Sequence, residues 1–139
     1  MLLVPKRWKH RKQFRWRIQG VAKGNTYVAF GEYGLKALEN AYITSRQIES
    51  ARKVLVRYNR KVGKIWIRVF PDIPYTKKWL EMPMGKGKGA VDFYVARVKR
   101  WTIMMEMSWV SEEIAKEAIK QAWYKFPIKV KMVSRHEIN

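Results

Sequence analysis

The sequence predicts an α+β fold, an α/β sandwich in which two helices pack on one face of a mostly antiparallel sheet. Two segments carry an apolar face at helical spacing, and the short runs between them have the alternation or the β-branched and aromatic content of strands. The elements come in the order strands, helix, strand, loop, two strands, helix, strand. A chain of 139 residues fits a single domain that buries about two thirds of the surface its unfolded form exposes, enough for a core without metal or disulfides. The expected layout is a basic N-terminal arm over residues 1–25 and one α+β domain over 26–139, with a long loop at 75–89.

Past the arm, Thr26 to Phe30 has the composition of a short strand, and Gly34 to Leu38 continues as another. Thr44-Ser45-Arg46-Gln47 has the form of a capping box, so a helix starts there and runs to about Arg60. At 100° per residue Ile48, Ala51, Val54, Leu55, Tyr58 and Val62 share one side, and Gly63 is expected to end the helix. Lys64 to Phe70 alternates as a strand until Pro71 stops it. Pro71-Asp72-Ile73-Pro74 is turn chemistry and leads into the connection from Tyr75 to Gly89, which has Pro83, three glycines and no sustained period. Loops of that length in compact domains are usually functional or disordered. Val91 to Val98 and Thr102 to Met107 read as a hairpin turning at Lys99-Arg100-Trp101. A second helix begins at Ser111, with Glu112 and Glu113 where the helix dipole favours anions. Its apolar face is Ile114, Ala115, Ala118, Ile119, Ala122 and Phe126, and Pro127 forbids its continuation. Ile128 to Val133 alternates as a last strand with one wet, basic face.

Charge says most about function. Lysine and arginine number 30 against 11 acids, a net charge of +19, which repels itself strongly at low salt and calls for a polyanionic partner. Eight of the cations lie in the first 31 residues, where no acid occurs. There Lys6, Arg7, Lys9, Arg11, Lys12, Arg15 and Arg17 alternate with Trp8, Phe14 and Trp16, so phosphate neutralisation can combine with base stacking. A disordered basic tail is the bland alternative, but a merely solvated tail has no reason to carry two Trp and a Phe. Arg46, Lys53, Arg57 and Arg60 fall on the helix side opposite the apolar one, either a binding stripe or a solvated surface. Met84-Gly85-Lys86-Gly87-Lys88-Gly89 lets backbone approach phosphate while Lys86 and Lys88 supply charge; it is otherwise an ordinary flexible hairpin tip. It is not a nucleotide-triphosphate loop, because a strand follows and no hydroxyl comes after the lysines. Lys64, Lys77 and Lys78 flank these elements and complete the candidate nucleic-acid-binding set. Trp66, Trp123, Met104, Met105 and Met107 read as packing residues.

The exclusions are as informative. There is no cysteine, hence no disulfide, thiolate zinc site or cysteine nucleophile. His10 and His136 lie near opposite ends, and Asp72, Asp92 and Glu106 have no metal or acid/base spacing, so no catalytic residue, metal or cofactor is expected and the chain is not expected to be an enzyme. No run approaches the ~18 apolar residues of a spanning helix, and Met1-Leu2-Leu3-Val4 is too short for a signal peptide. The aromatics at 8, 14 and 16 do not form one helical face, which argues against membrane-surface binding.

Several segments together resemble the large-subunit ribosomal protein family L-sixteen of bacteria and organelles, the counterpart of the archaeal and eukaryotic L-ten-e. They are Pro5-Lys6-Arg7 with Arg11-Lys12, Phe30-Gly31 with Gly34-Leu35-Lys36-Ala37, Arg46-Gln47-Ile48-Glu49 with Ala51-Arg52, Lys64 through Asp72, Met84 through Gly89, and Pro127-Ile128-Lys129, in family order over nearly the whole chain. The resemblance implies a structural rRNA-binding protein near the central protuberance, close to tRNA, 5S rRNA and the peptidyl-transferase region, with neighbouring ribosomal proteins as partners and no homo-oligomer. It implies rRNA contacts for Lys6, Arg7, Arg11, Lys12, Lys86 and Lys88. Pro83 stands where the family commonly has an arginine that is hydroxylated in some bacteria, so that modification is not expected here. Trp8 replaces a usual Thr, Trp79 interrupts a usual Lys-Pro-Leu, and Arg100-Trp101 replaces a Pro-Gly turn. Trp8 and Trp79 are expected to add stacking or protein contacts, an idea that two rings loose in solvent would remove. The expected location is the cytoplasmic ribosome, or an organellar matrix if the gene is organellar. A free RNA chaperone or nucleoid-type binder is the alternative, distinguished by binding arbitrary RNA or DNA equally well.

Overall fold

The computed structural model describes residues 3–60 and 62–137. Met1 and Leu2 of the basic arm, and the last two residues of the 26–139 region, lie outside the described residues. The elements are β1 (Tyr33–Ala37), β2 (Ala41–Thr44), α1 (Ser45–Asn59), β3 (Lys64–Ile67), β4 (Ile73–Lys77), β5 (Ala90–Val98), β6 (Ile103–Ser108), α2 (Glu112–Trp123) and β7 (Val130–Ser134). The fold class is α+β, as the sequence predicts. The strands form two antiparallel sheets rather than one, with four strands in the order β3-β6-β1-β7 and three in the order β2-β5-β4.

Both helices start where their side chains can satisfy the free amides of a first turn. Thr44 Oγ1 accepts from the Gln47 amide and Gln47 Oε1 accepts from the Thr44 amide, closing the capping box. Ser111 accepts from the Ile114 amide at the start of α2. The helix ends differ from expectation in one respect. Arg60, in the left-handed region at φ 47°, is the C-cap of α1, and Gly63 is needed for another reason: a Cβ there would lie 2.5 Å from the Ser108 carbonyl. The chain has already reversed at Arg60, so Val62 is exposed and does not join the apolar face. Ile114 is also exposed rather than packed, since the stripe buried against α1 is Ala115, Ala118, Ile119 and Ala122.

The core lies between the helices and one face of the four-stranded sheet. Register places Ile65 opposite Met107, Met105 opposite Leu35, and Ala37 opposite Val130, and these cross-strand partners pack with Ile48, Ala51, Leu55, Ala118 and Ala122 in one cluster. Ile43, Ala96 and Val98 bring the three-stranded sheet into the same cluster. Met104, Met105 and Met107 are fully buried, as expected of core methionines.

Three expectations fail for tertiary reasons. Thr26 to Phe30 is not a strand. It crosses the sheet face away from the helices as a strap, and the amides of Ala29, Phe30 and Gly31 converge on the carboxylate of Glu106 at 2.8–2.9 Å. Successive amides that point at one acceptor cannot alternate as a ladder requires. Second, β5 and β6 are not a hairpin, because they belong to different sheets. Between them Trp101 takes φ 78°, the Trp101 amide donates to Ala37 O, and the Arg100 amide donates to the Asn40 side chain. Third, β4 takes up the second half of the turn expected at 71–74 and the first three residues of the loop expected at 75–89, so the irregular loop begins only at Lys78. Pro74 is tolerated because β4 is an edge strand, where a missing N–H breaks no ladder. The last strand's basic face is also only half wet: Lys129 and Lys131 are exposed, but Val133 on the same side is buried against Val28 of the strap.

Glu106 anchors this arrangement. Its side chain is 0 % exposed and accepts a further bond from Arg68 Nη1 at 2.6 Å. Burial pushes its carboxyl up, yet the Ala29, Gly31 and Phe30 amides and the Arg68 guanidinium outweigh burial and hold it below its ordinary value. Arg68 also lies 4.8 Å above the Phe30 ring, which stacks on Trp66. Trp66 is thus half-buried packing, as expected, whereas Trp123 stands 40 % exposed beside Tyr124.

Candidate nucleic-acid interface

The arm from Pro5 to Gln19 has no regular secondary structure and is held by side-chain contacts to the three-stranded sheet. Trp8 stacks on Tyr94 of β5, with ring centroids 5.7 Å apart and planes 17° apart. The Arg15 guanidinium sits 4.2 Å over Tyr75 of β4, and Tyr42 of β2 donates to the Trp16 carbonyl. Tyr75 in turn stacks on Phe93 at 5.0 Å. Tyr42, Tyr75 and Phe93, one from each strand, thus form an aromatic layer on one face of this sheet under the Arg15 and Trp16 part of the arm, while Trp8 lies on Tyr94 of the opposite face.

The glycine loop joins the arm. Lys12 Nζ donates to the Lys88 carbonyl at 3.0 Å, and Lys88 Nζ donates back to the Gln13 carbonyl. Lys88 also lies 5.9 Å over Phe14. These bonds use carbonyl acceptors and leave both positive charges uncompensated. Within the loop Gly85, Lys86 and Gly87 all take positive φ, at 101°, 59° and 92°. A Cβ at Gly85 or Gly87 would meet nothing within 4 Å, so glycine is required there for backbone conformation and not for space. Lys78 braces the turn by donating to the Gly85 carbonyl at 2.6 Å.

Among the sequence-predicted residues, Lys6, Arg7, Trp8, Lys9, Arg11, Lys12, Arg15 and Arg17 are exposed on the arm, and Lys77, Lys86 and Lys88 are exposed around the loop, with Lys78 half-buried. Arg46, at the start of α1, lines a cavity with Asp92 and Phe93 of β5, beside these elements. Lys53, Arg57 and Arg60 stand exposed on the solvent side of α1, and Lys64 is exposed at the start of β3 beyond the helix end. Arg52, the next helix cation, is engaged: Glu49 takes its guanidinium in two bonds of 2.6 and 3.0 Å. That contact is the largest cause holding the Glu49 carboxyl at about 2, against the burial that would raise it.

Sequence reasoning missed the tyrosines. Tyr42, Tyr75 and Tyr94 carry the arm, but they lie on three strands far apart in the chain, and no local pattern joins them. It also missed the apolar character of the loop tip, where Trp79 is 85 % and Leu80 is 99 % exposed. With Met82 and Met84, also exposed, they make the loop an apolar stretch of surface. Trp8 is not loose in solvent; of the two departing tryptophans only Trp79 is.

A family model described as ribosomal protein L16p/L10e matches residues 5–133. The chain is 57 % identical over 134 residues to the large ribosomal subunit protein uL16 of Thermus thermophilus, covering 96 % of this chain and 95 % of that protein. It is 55 % identical over 135 residues to the protein of the same name from Lactobacillus acidophilus, covering 97 % and 92 %. Against that of Staphylococcus haemolyticus the figures are 53 % over 137 residues, 99 % and 95 %.

Proposed function

Since this chain belongs to the ribosomal protein L16p/L10e family, we infer that it is a structural constituent of the large ribosomal subunit and binds large-subunit rRNA in support of translation. Its role is to hold folded RNA in place, and its residues are positioned for charge and stacking, not for bond making. Residues 1–25 act as the rRNA-binding arm and 26–139 as the body that presents it.

The observation that carries the RNA-binding part is the joining of arm and glycine loop through Lys12 and Lys88. Two basic segments about 75 positions apart in the chain are bonded to each other, so the RNA meets a single preorganised surface and less ordering is needed on binding. On it Lys6, Arg7, Lys9, Arg11, Arg15, Arg17, Lys77, Lys78 and Lys86 neutralise phosphates, while Trp8 offers a ring to an unpaired base. Arg46, Lys53, Arg57, Arg60 and Lys64 extend the contact along α1. The exposed apolar loop tip supports a seat close to other components, tRNA, 5S rRNA or a neighbouring ribosomal protein, beyond the phosphate backbone.

Sedimentation of a native lysate through sucrose at rising salt tests this reading. The chain is expected to remain with large subunits through a high-salt wash. A nonspecific binder that neutralises about ten phosphates would lose several orders of magnitude in affinity over the same change and spread across all RNA.

A further inference from the structure

We propose that Trp8 and Trp79 form two adjoining seats for unpaired rRNA nucleobases, meeting at Ala90 and Val91 where β5 begins. The inference rests on the rRNA-binding reading above and goes beyond it by adding a second base seat at Trp79 and joining the two at one edge of β5. A cavity of about 460 Å³ is lined by Trp8, Tyr94, Arg11, Lys12 and the pair Ala90 and Val91. A second, of about 380 Å³, is lined by Trp79, Lys77, Lys78 and the same Ala90 and Val91. Each therefore combines one indole wall, two cations and a shared apolar floor.

That combination suits single-stranded nucleic acid, whose bases stack on aromatic rings while the backbone follows positive charge. The two rings are prepared differently. Trp8 is already oriented by its stack on Tyr94 and keeps 40 % of its surface exposed, so little freedom is lost when a base arrives. Trp79 has no ring partner among the described residues, and water around an indole is a cost that a stacked base removes. Four cations and a single acid, Asp92, line the pair of cavities, which favours a polyanion over a protein side chain as occupant.

The test is base-specific chemical probing of rRNA in large subunits carrying the full chain as wild type, W8A, W79A, W8F or W79F. Each alanine variant is expected to unmask one or two neighbouring unpaired bases, with the two sets adjacent, while the chain still sediments with the subunit. Each phenylalanine variant is expected to restore protection. Binding of the free chain to a single-stranded oligoribonucleotide is expected to weaken about tenfold per alanine with an unchanged salt slope, because stacking releases no counterions. Unaltered base reactivity in subunits that retain both alanine variants would overturn the proposal, as would changes confined to contacts with a neighbouring protein. An alanine variant lost from the subunit altogether would also overturn it, placing the ring in the packing of the arm. Absence of the wild-type chain from large subunits would instead sink the rRNA-binding reading itself.

Discussion

Glu106 shows how one residue fixes the path of a segment. A carboxylate with no exposed surface is tolerable only when its lone pairs are filled, and here three backbone amides and one guanidinium fill them. The same bonds tie the strap, and so the end of the basic arm, to the sheet. Glu106→Gln removes the charge that Arg68 faces and puts an NH₂ group where an amide donor points. It is expected to cost about 3–5 kcal/mol at neutral pH, read from the urea midpoint. The pH dependence has a definite sign. Because the folded carboxyl titrates below its usual 4.5, the wild type has the full stabilisation above that value and loses it as pH falls through the folded pKa. The gap between wild type and E106Q therefore closes on acidification. Glu49, held at about 2, contributes in full above 4.5 in both proteins and loses that contribution as pH falls from 4.5 toward 2, so both continue to lose stability over that range.

At the scale of elements, α1 sets stability against the RNA contact proposed for it. Its C-cap Arg60 occupies the left-handed region that glycine adopts without steric cost. Arg60→Gly is expected to raise stability by about 1 kcal/mol while weakening RNA binding and lowering the salt slope by about 0.9 if the guanidinium meets a phosphate. Thermal unfolding and a salt titration of rRNA binding should therefore move in opposite directions, and a variant improved in both would remove Arg60 from the interface. The binding role proposed for the loop from Lys78 to Gly89 rests on a similar use of backbone conformation. Its glycines permit a run of positive φ that aims Lys86 outward, and Lys78 holds that turn from within.

For the molecule as a whole, a net charge of +19 makes long-range attraction to RNA strong and salt-sensitive. Deleting residues 1–17 removes seven of those cations but only a small part of the core, of which Leu3 is a partly buried member. Cooperative unfolding is expected to persist, while the slope of log affinity against log salt drops by several units, at about 0.9 for each phosphate that is no longer neutralised. An unchanged slope would mean that the arm serves the fold and not the RNA. The sequence by itself determined the features that depend on near neighbours or on sums: both helices and their caps, the core methionines, β1, β3 and β7 to within a few residues, and the basic character of arm and loop. Tertiary structure alone decided that β5 and β6 part into different sheets, that the edge could accept Pro74 within β4, and that Thr26 to Phe30 would surrender its ladder to Glu106. It also decided that Tyr42, Tyr75 and Tyr94, from three strands, would hold the arm against the two faces of one sheet. Periodicity, capping and charge act through residues a few positions apart, whereas strand pairing and buried polar contacts join residues tens of positions apart. Which distant partner wins is set by the packing of the complete core.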